Sequence, residues 1–530
     1  MYDFFNLEYP KAMECLTNGI CAIDPRTIAL SETFIYETRQ LTYYLLKIKE
    51  IGYENLSIVN KIITTLASIN FGFEYQTKDV ENLLADLREK RTEVIDFYKN
   101  LCRKKNLDCQ LLQSLQPSDE DISIIKAIMT GERQSIKKNT QISTCKKNLY
   151  EIMILISKTT ASTITKLADY NIDCISEKYK LLEFFNSLNF LNIREEKLTK
   201  KILNFSQVSH ELNLLLEKTY EENYSTPTTT SVTLNIKKGK GILISGDNFN
   251  DFDLLLQATE GTGINIYTHD MMFLAHQYPY FKRYSHLIGQ YQHKNYDFQI
   301  DFSTFPGPIL LTKNYANKIE SLYRGNLFST DVIAGKGITQ LKNHDFIPLI
   351  KAANEMKGFS TPQNKFNVKI GYNPQEINKH IDAIIDKLKT GKYKDLYIVG
   401  LINYGYHSNE FFEKLYEKIS NDNFIISLTY EKKAENILHI KSYYDFSLIY
   451  RIIKKLQENL NDQKNKIKII LTQCTNASLT NFFILRKLGL EDIYITCCNI
   501  NNLNPSVLTC LAEHFNIKQL SDNPDDEIEL

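Results

Sequence analysis

The sequence carries no net charge. Its 63 lysines and arginines match its 63 aspartates and glutamates, so nothing in the balance favours nucleic acid or an anionic membrane, both of which reward a basic surface. Long apolar runs are missing as well. Ile152–Ile156 is typical of the longest, far short of the roughly 20 residues that cross a bilayer. The opening MYDFFNLEYPK has no basic stretch followed by an apolar one, so no signal peptide is read there and a cytoplasmic location is expected. Among the 10 cysteines there is no C-x-x-C pair. Cys15 and Cys21, Cys102 and Cys109, and the adjacent Cys497 and Cys498 come closest. Spacing alone therefore reads these thiols as reduced, small core hydrophobes.

Glycine and proline are scarce up to about residue 220, and what fills that half is helical periodicity. Ile28–Ile51, Ser57–Ile69, Thr77–Lys105, Asp119–Ser135 and Ser143–Asp169 place apolar residues at i, i+3, i+4 and i+7, which predicts an antiparallel helical bundle. The run Ser225–Ser231, rich in Thr, Ser and Pro, breaks the pattern and reads as a linker or an entering strand. Beyond it, short apolar runs alternate with helical patterns: Gly241–Ser245, Ile264–Tyr267, Ile309–Thr312, Leu396–Gly400, Phe424–Tyr430, Ile467–Thr472 and Ile493–Thr496. Such alternation predicts parallel sheets covered on both faces. The expected fold class is multidomain α + α/β: an N-terminal helical bundle over 1–224, then two Rossmann-like α/β domains over 225–370 and 371–530. About three domains is also what the length alone suggests. The acidic tail Asp522–Leu530 is expected to be disordered.

Glycine pairs at Gly239-Lys-Gly, Gly261-Thr-Gly and Gly335-Lys-Gly raise the question of a nucleotide, but none completes G-x-G-x-x-G or a Walker A loop. A longer signal lies between them. Gly241–Asp247 (GILISGD), Glu260–His269 (EGTGINIYTH), Ala275–Pro279 (AHQYP) and Phe305–Leu311 (FPGPILL) follow one another closely. They resemble the hybrid-cluster (prismane) protein family, the hydroxylamine reductases. There the corresponding motifs are an SGHD turn, EGTGINVYTHGEM, AHAYP and FPGPI. Val59–Phe71 and Leu488–Gln519 extend the resemblance over essentially the whole chain. It implies a helical domain, two α/β domains and two metal centres: a 4Fe–4S cubane and a buried hybrid iron–sulfur–oxygen cluster that reduces hydroxylamine or nitric oxide.

Carried over residue by residue, most ligands are gone. The cubane motif C-x2-C-x8-C-x5-C falls on Asp3, Asn6, Cys15 and Cys21, and two thiolates do not hold a cubane. At the hybrid cluster, the histidine of SGHD falls on Asp247 and the glutamate of THGEM on Met271. The cysteine positions fall on Tyr315, Leu401, Tyr430 and Cys474. Cys15, Cys21, Cys474 and Asp247 are thus vestigial ligand positions, and neither family cofactor is expected intact. The bulky replacements would refill a vacated cavity, which otherwise costs about 24 cal/mol per Å3.

Two local readings stay open. Asp247, His269, Asp270 and Cys474 could converge on zinc or iron, or His269 is a satisfied loop histidine. Cys15 and Cys21 are half of a zinc site, or two buried thiols in a helical hairpin. For the whole chain the expectation is a degenerate hydroxylamine-reductase-like protein, a pseudoenzyme scaffold or interaction protein. It would pair as a homodimer or with a paralogue and have little use for a redox partner. The alternatives are an oxidoreductase with an altered metal site and a small-molecule binder using the vacated cavity.

Overall fold

The computed structural model describes residues 25–69, 74–112, 123–292, 298–315, 321–364, 367–372, 374–400, 409–419, 421–428, 432–440, 446–460, 467–472, 476–496 and 506–520. Cys15, Cys21, Cys474, Leu401, Tyr430, the Cys497–Cys498 pair and the acidic tail lie outside them.

Helices fill the first part of the chain: α1 (Pro25–Glu50), α2 (Leu56–Ser68), α3 (Thr77–Lys105), α4 (Ile124–Gln134), α5 (Thr144–Ala168), α6 (Ile175–Phe185) and α7 (Glu195–Tyr224). Local chemistry sets their ends. Asn55 and Ser143 cap α2 and α5 by accepting the Ile58 and Lys146 amides, while Asn106 ends α3 in the left-handed conformation. Close approach needs small residues: at Gly131 of α4 a Cβ would collide with the Ala29 carbonyl of α1. Beside that contact, Thr33 Oγ1 donates to the Ala127 carbonyl at 2.5 Å. Glu37, without exposed surface, takes Arg88 at 3.0 Å and Arg91 at 2.5 Å from α3, so α1 and α3 are joined through a charge that cannot stay buried unpaired.

After α7 the Thr/Ser/Pro run crosses over as irregular chain to Thr229 and its last two residues enter β1 (Thr230–Thr233). This strand pairs antiparallel with β8 (Asn367–Ile370). Between them lie β2 (Gly241–Ser245), α8 (Phe249–Thr259), β3 (Asn265–His269), β4 (Leu287–Gln290), α9 (Phe298–Thr304), β5 (Ile309–Leu311), β6 (Leu327–Ser329), β7 (Thr339–Gln340) and α10 (Ile347–Glu355). The sheet order is β4-β3-β2-β5-β6-β7, parallel throughout. Beyond β8 come α11 (Pro374–Lys389), β9 (Leu396–Val399), α12 (Asn409–Lys418), β10 (Phe424–Ser427), β11 (Ile437–His439), α13 (Phe446–Leu460), β12 (Ile467–Leu471), α14 (Asn476–Lys487), β13 (Ile493–Thr496), α15 (Ser506–Phe515) and β14 (Lys518–Leu520). Their sheet, β11-β10-β9-β12-β13-β14, is again wholly parallel. The strands GILIS, LYIV and FIIS are buried at every residue, as sheets covered on both faces require.

β3 departs from the sequence reading. It continues to His269 rather than stopping at Tyr267, because Thr268 and His269 find buried partners in Gln290, Ser245 and Asp301. His269 is therefore a strand residue, not a loop one. The bundle docks on both sheets. Tyr170 and Tyr224 exchange a 2.8 Å hydrogen bond, and Tyr220 stacks on Phe249 of α8 at 4.6 Å. Thr159 of α5 meets Thr480 of α14 at 2.8 Å, and Arg451 of α13 binds Glu217 and Glu221 of α7 at 2.6 and 2.8 Å.

Candidate functional site

In the first sheet β3 lies on one side of β2 and β5 on the other. The chain thus changes direction at β2, and the carboxyl ends of such strands are where open α/β sheets bind ligands. Ser245, His269 and Thr312 stand at or just past those ends. The end of α5 covers them, bringing Ser162, Thr165, Lys166 and Asp169. Gly246 makes the turn after β2 at φ +130°, where a Cβ would strike the Thr312 hydroxyl. That turn lets the Asp247 amide donate to Thr312 Oγ1 at 3.2 Å.

Charges meet charges across this seam. Lys166 Nζ lies 2.6 Å from Asp247 Oδ2, and Lys313 Nζ lies 2.6 Å from Asp169 Oδ1. Asp169 also takes a hydrogen bond from Asn248 Nδ2 at 2.9 Å. The buried Asp251 accepts from the Lys313 amide at 2.8 Å, Thr330 at 2.5 Å and His344 Nε2 at 2.7 Å. Burial raises the Asp251 carboxyl, but the hydrogen bond from His344 and the charge of Lys313 outweigh it and leave the group below the ordinary carboxylate range. His344 moves up, through that same hydrogen bond against burial. Asp331, wholly buried, is pushed up to about 7 by desolvation despite accepting the Asn314 and Val332 amides.

Deeper in, Ser245 Oγ lies 3.0 Å from His269 Nδ1, and His269 Nε2 lies 3.2 Å from Asp301 Oδ2. Hydroxyl, imidazole and carboxylate in a row resemble a hydrolytic triad. Their exposures of 0%, 1% and 0% keep substrate away, so the row acts as a satisfied polar core. Tyr315 is buried with its hydroxyl 3.5 Å from Ser245 Oγ. Met271 is partly buried and packs against the hydrophobic core. Asp270, with φ 54°, turns the chain between β3 and Met271.

Among the described residues no three His, Cys, Asp or Glu ligand atoms converge at this seam. Asp247, His269 and Asp270 thus form no such group by themselves. Such a group does form elsewhere: Cys145 near the start of α5 with Cys510 and His514 of α15, ligand atoms within 4.8 Å of one another. Cys145 Sγ lies 3.9 Å from Cys510 Sγ and 2.9 Å from His514 Nε2. Burial pushes the Cys145 thiol up to about 11 and the Cys510 thiol up as well. Sequence reading missed this site. Cys510 and His514 are one helical turn apart, a weak signal, and Cys145 lies 365 residues away from Cys510.

Comparison with known proteins decides the family. The model of the Prismane/CO dehydrogenase family matches residues 11–434. This chain belongs to that family. It is 25% identical to a hydroxylamine reductase of Thermodesulfovibrio yellowstonii, over 97% of each chain. It is 24% identical to that of Zymomonas mobilis, over 97% of this chain and 96% of the relative. With that of Thermosipho melanesiensis it shares 25% over 98% of each. An alpha subunit of acetyl-CoA synthase/carbon monoxide dehydrogenase, described with NiZn[Fe4S4] and NiNi[Fe4S4] clusters, superposes with a TM-score of 0.48 at 10% identity. That match covers 96% of this chain and 82% of the other.

At the positions that the resemblance assigns to the hybrid cluster, the described residues do not fit that group. Asp247 is already bound to an ammonium, Tyr315 is a packed phenol and Met271 a thioether against the core. In the sequence, Leu401 and Tyr430 add no thiolate. A soft, anionic donor set is what iron–sulfur clusters need.

Proposed function

We propose that this chain is a folded prismane-family protein that has given up the hybrid cluster and works as a scaffold or interaction protein, without hydroxylamine reduction. The observation that carries this reading is the Lys166–Asp247 ion pair. A cation delivered from α5 neutralises the carboxylate at the old histidine position, and an ammonium there opposes a metal ion on the same oxygens. The satisfied Ser245–His269–Asp301 row and the packed Tyr315 support it, since both spend polar and apolar groups on the fold.

A scaffold needs a partner, and the reading favours a second copy or a paralogue of this family in the cytoplasm. Among the described residues no helix is long and apolar enough to cross a membrane. The test is an anaerobic assay of the purified full chain with hydroxylamine and a low-potential electron donor. No turnover above the protein-free rate is expected, and turnover that is lost in Asp247→Ala or Cys474→Ser would instead establish an oxidoreductase with an altered metal site.

A further inference from the structure

The Cys145–Cys510–His514 group includes none of the positions that the resemblance assigns to the clusters, and it stands on two helices far apart in the chain. Cys145 sits in the first turn of α5, just past its Ser143 cap. Cys510 and His514 are i and i+4 on α15, and so share one face of it. Packing α15 against α5 brings all three ligand atoms to one point.

The geometry points to a zinc-binding site, made by Cys145, Cys510 and His514, that clips the last α/β unit to the helical bundle. Four facts carry it. Two sulfurs bound tetrahedrally at about 2.3 Å each stand about 3.8 Å apart, and the thiols are 3.9 Å apart here. Two thiolates and a neutral imidazole bring two negative charges, which makes a complex with Zn2+ neutral and suits a half-buried position. Soft sulfur with imidazole selects zinc over magnesium, calcium or manganese. Finally, the third atom already faces the first: His514 Nε2 lies 2.9 Å from Cys145 Sγ, so a small outward shift of the ring opens room for the ion. The fourth position is left for water or for Glu195 of α7, which accepts a 2.7 Å hydrogen bond from Ser143 Oγ at the cap of α5.

This site is independent of whether the chain keeps iron, and its test reads a different signal. Full-length reduced protein, stripped of metal, is titrated with Co2+ as the probe and then with Zn2+. One Co2+ per chain is expected, with thiolate-to-cobalt charge-transfer absorption and tetrahedral ligand-field bands that Zn2+ displaces. Removing an outer partner of a metal ligand typically costs 10–100-fold in affinity, so Cys145→Ser and Cys510→Ser should each weaken binding by about 100-fold or more. His514→Ala, on the partly exposed side of α15, keeps both thiols and should weaken binding at least about tenfold. Cys109→Ser and the pair Cys15→Ser with Cys21→Ser should leave the spectrum unchanged. The proposal is overturned by a full chain that shows no thiolate–cobalt band, or by a band that survives all three ligand variants. It is equally overturned by a band lost with Cys15→Ser and Cys21→Ser.

Discussion

Lys166 and Asp247 face each other at 2.6 Å, one from the bundle and one from the turn after β2. The lysine is 11% exposed and the aspartate 37%, so the pair is neither a free surface bridge nor a fully dry one. Its loss should cost less than the 3–5 kcal/mol typical of breaking a buried pair. We expect Lys166→Met to destabilise by about 1–2 kcal/mol, because the more exposed Asp247 carboxylate it leaves behind can be rehydrated, with Asp247→Asn costing more because it leaves the more buried Lys166 ammonium without its counter-charge. Thermal unfolding of the two variants and their combination checks this. A double variant no less stable than Lys166→Met alone is expected if the two side chains act as one unit.

Restoring one ligand should not restore the centre. Asp247→His returns the histidine of the family's SGHD turn, with Asn248 in place of its aspartate, yet Met271, Tyr315, Leu401 and Tyr430 still supply no thiolate or carboxylate. Iron content of the anaerobically prepared variant should equal that of the parent chain. The substitution also strands Lys166, so a small fall in melting temperature is expected with it.

Glu37 is the opposite case, an anion with no exposed surface held by Arg88 and Arg91. Glu37→Ala leaves two guanidinium groups facing each other in the bundle. A loss of about 3–5 kcal/mol follows, the usual cost of orphaning buried charge. Loss of soluble expression or a fall in melting temperature well beyond that of Lys166→Met is the readout.

The His344–Asp251 pair, at 2.7 Å, predicts a pH window. The His344 pKa is raised, so its stabilising share is complete below the unfolded value of about 6.5 and fades as pH rises through the higher folded value. Asp251 is lowered, so its share is present above about 4 and lost as pH falls through the folded value. The pair thus contributes most between about pH 4 and 6.5. In His344→Gln, melting temperature plotted against pH should lose part of its decline above that window.

Most of the architecture could be read before folding, for reasons visible at particular residues. GILIS, LYIV and FIIS are unbroken apolar runs with both faces covered, and helix α3 begins and ends where the periodicity over Thr77–Lys105 does. Shorter pieces such as β7, Thr339–Gln340, have too few residues for any period to appear. β3 outran its apolar run because Thr268 and His269 depend on partners that only the folded sheet supplies. The resemblance located Asp247, Met271 and Tyr315, but Lys166 is 81 residues from Asp247 and carries no motif. Cys145 is still further from Cys510, and nothing in C-x3-H flags one thiol at the start of a distant helix.

A scaffold that has lost the cluster must be poor in iron. Full-length protein prepared anaerobically from iron-replete cells should contain far less than one iron and one acid-labile sulfide per chain, with any bound metal being zinc. Stoichiometric iron and labile sulfide that persist through gel filtration, together with an iron–thiolate absorption band bleached by reductant, would contradict it.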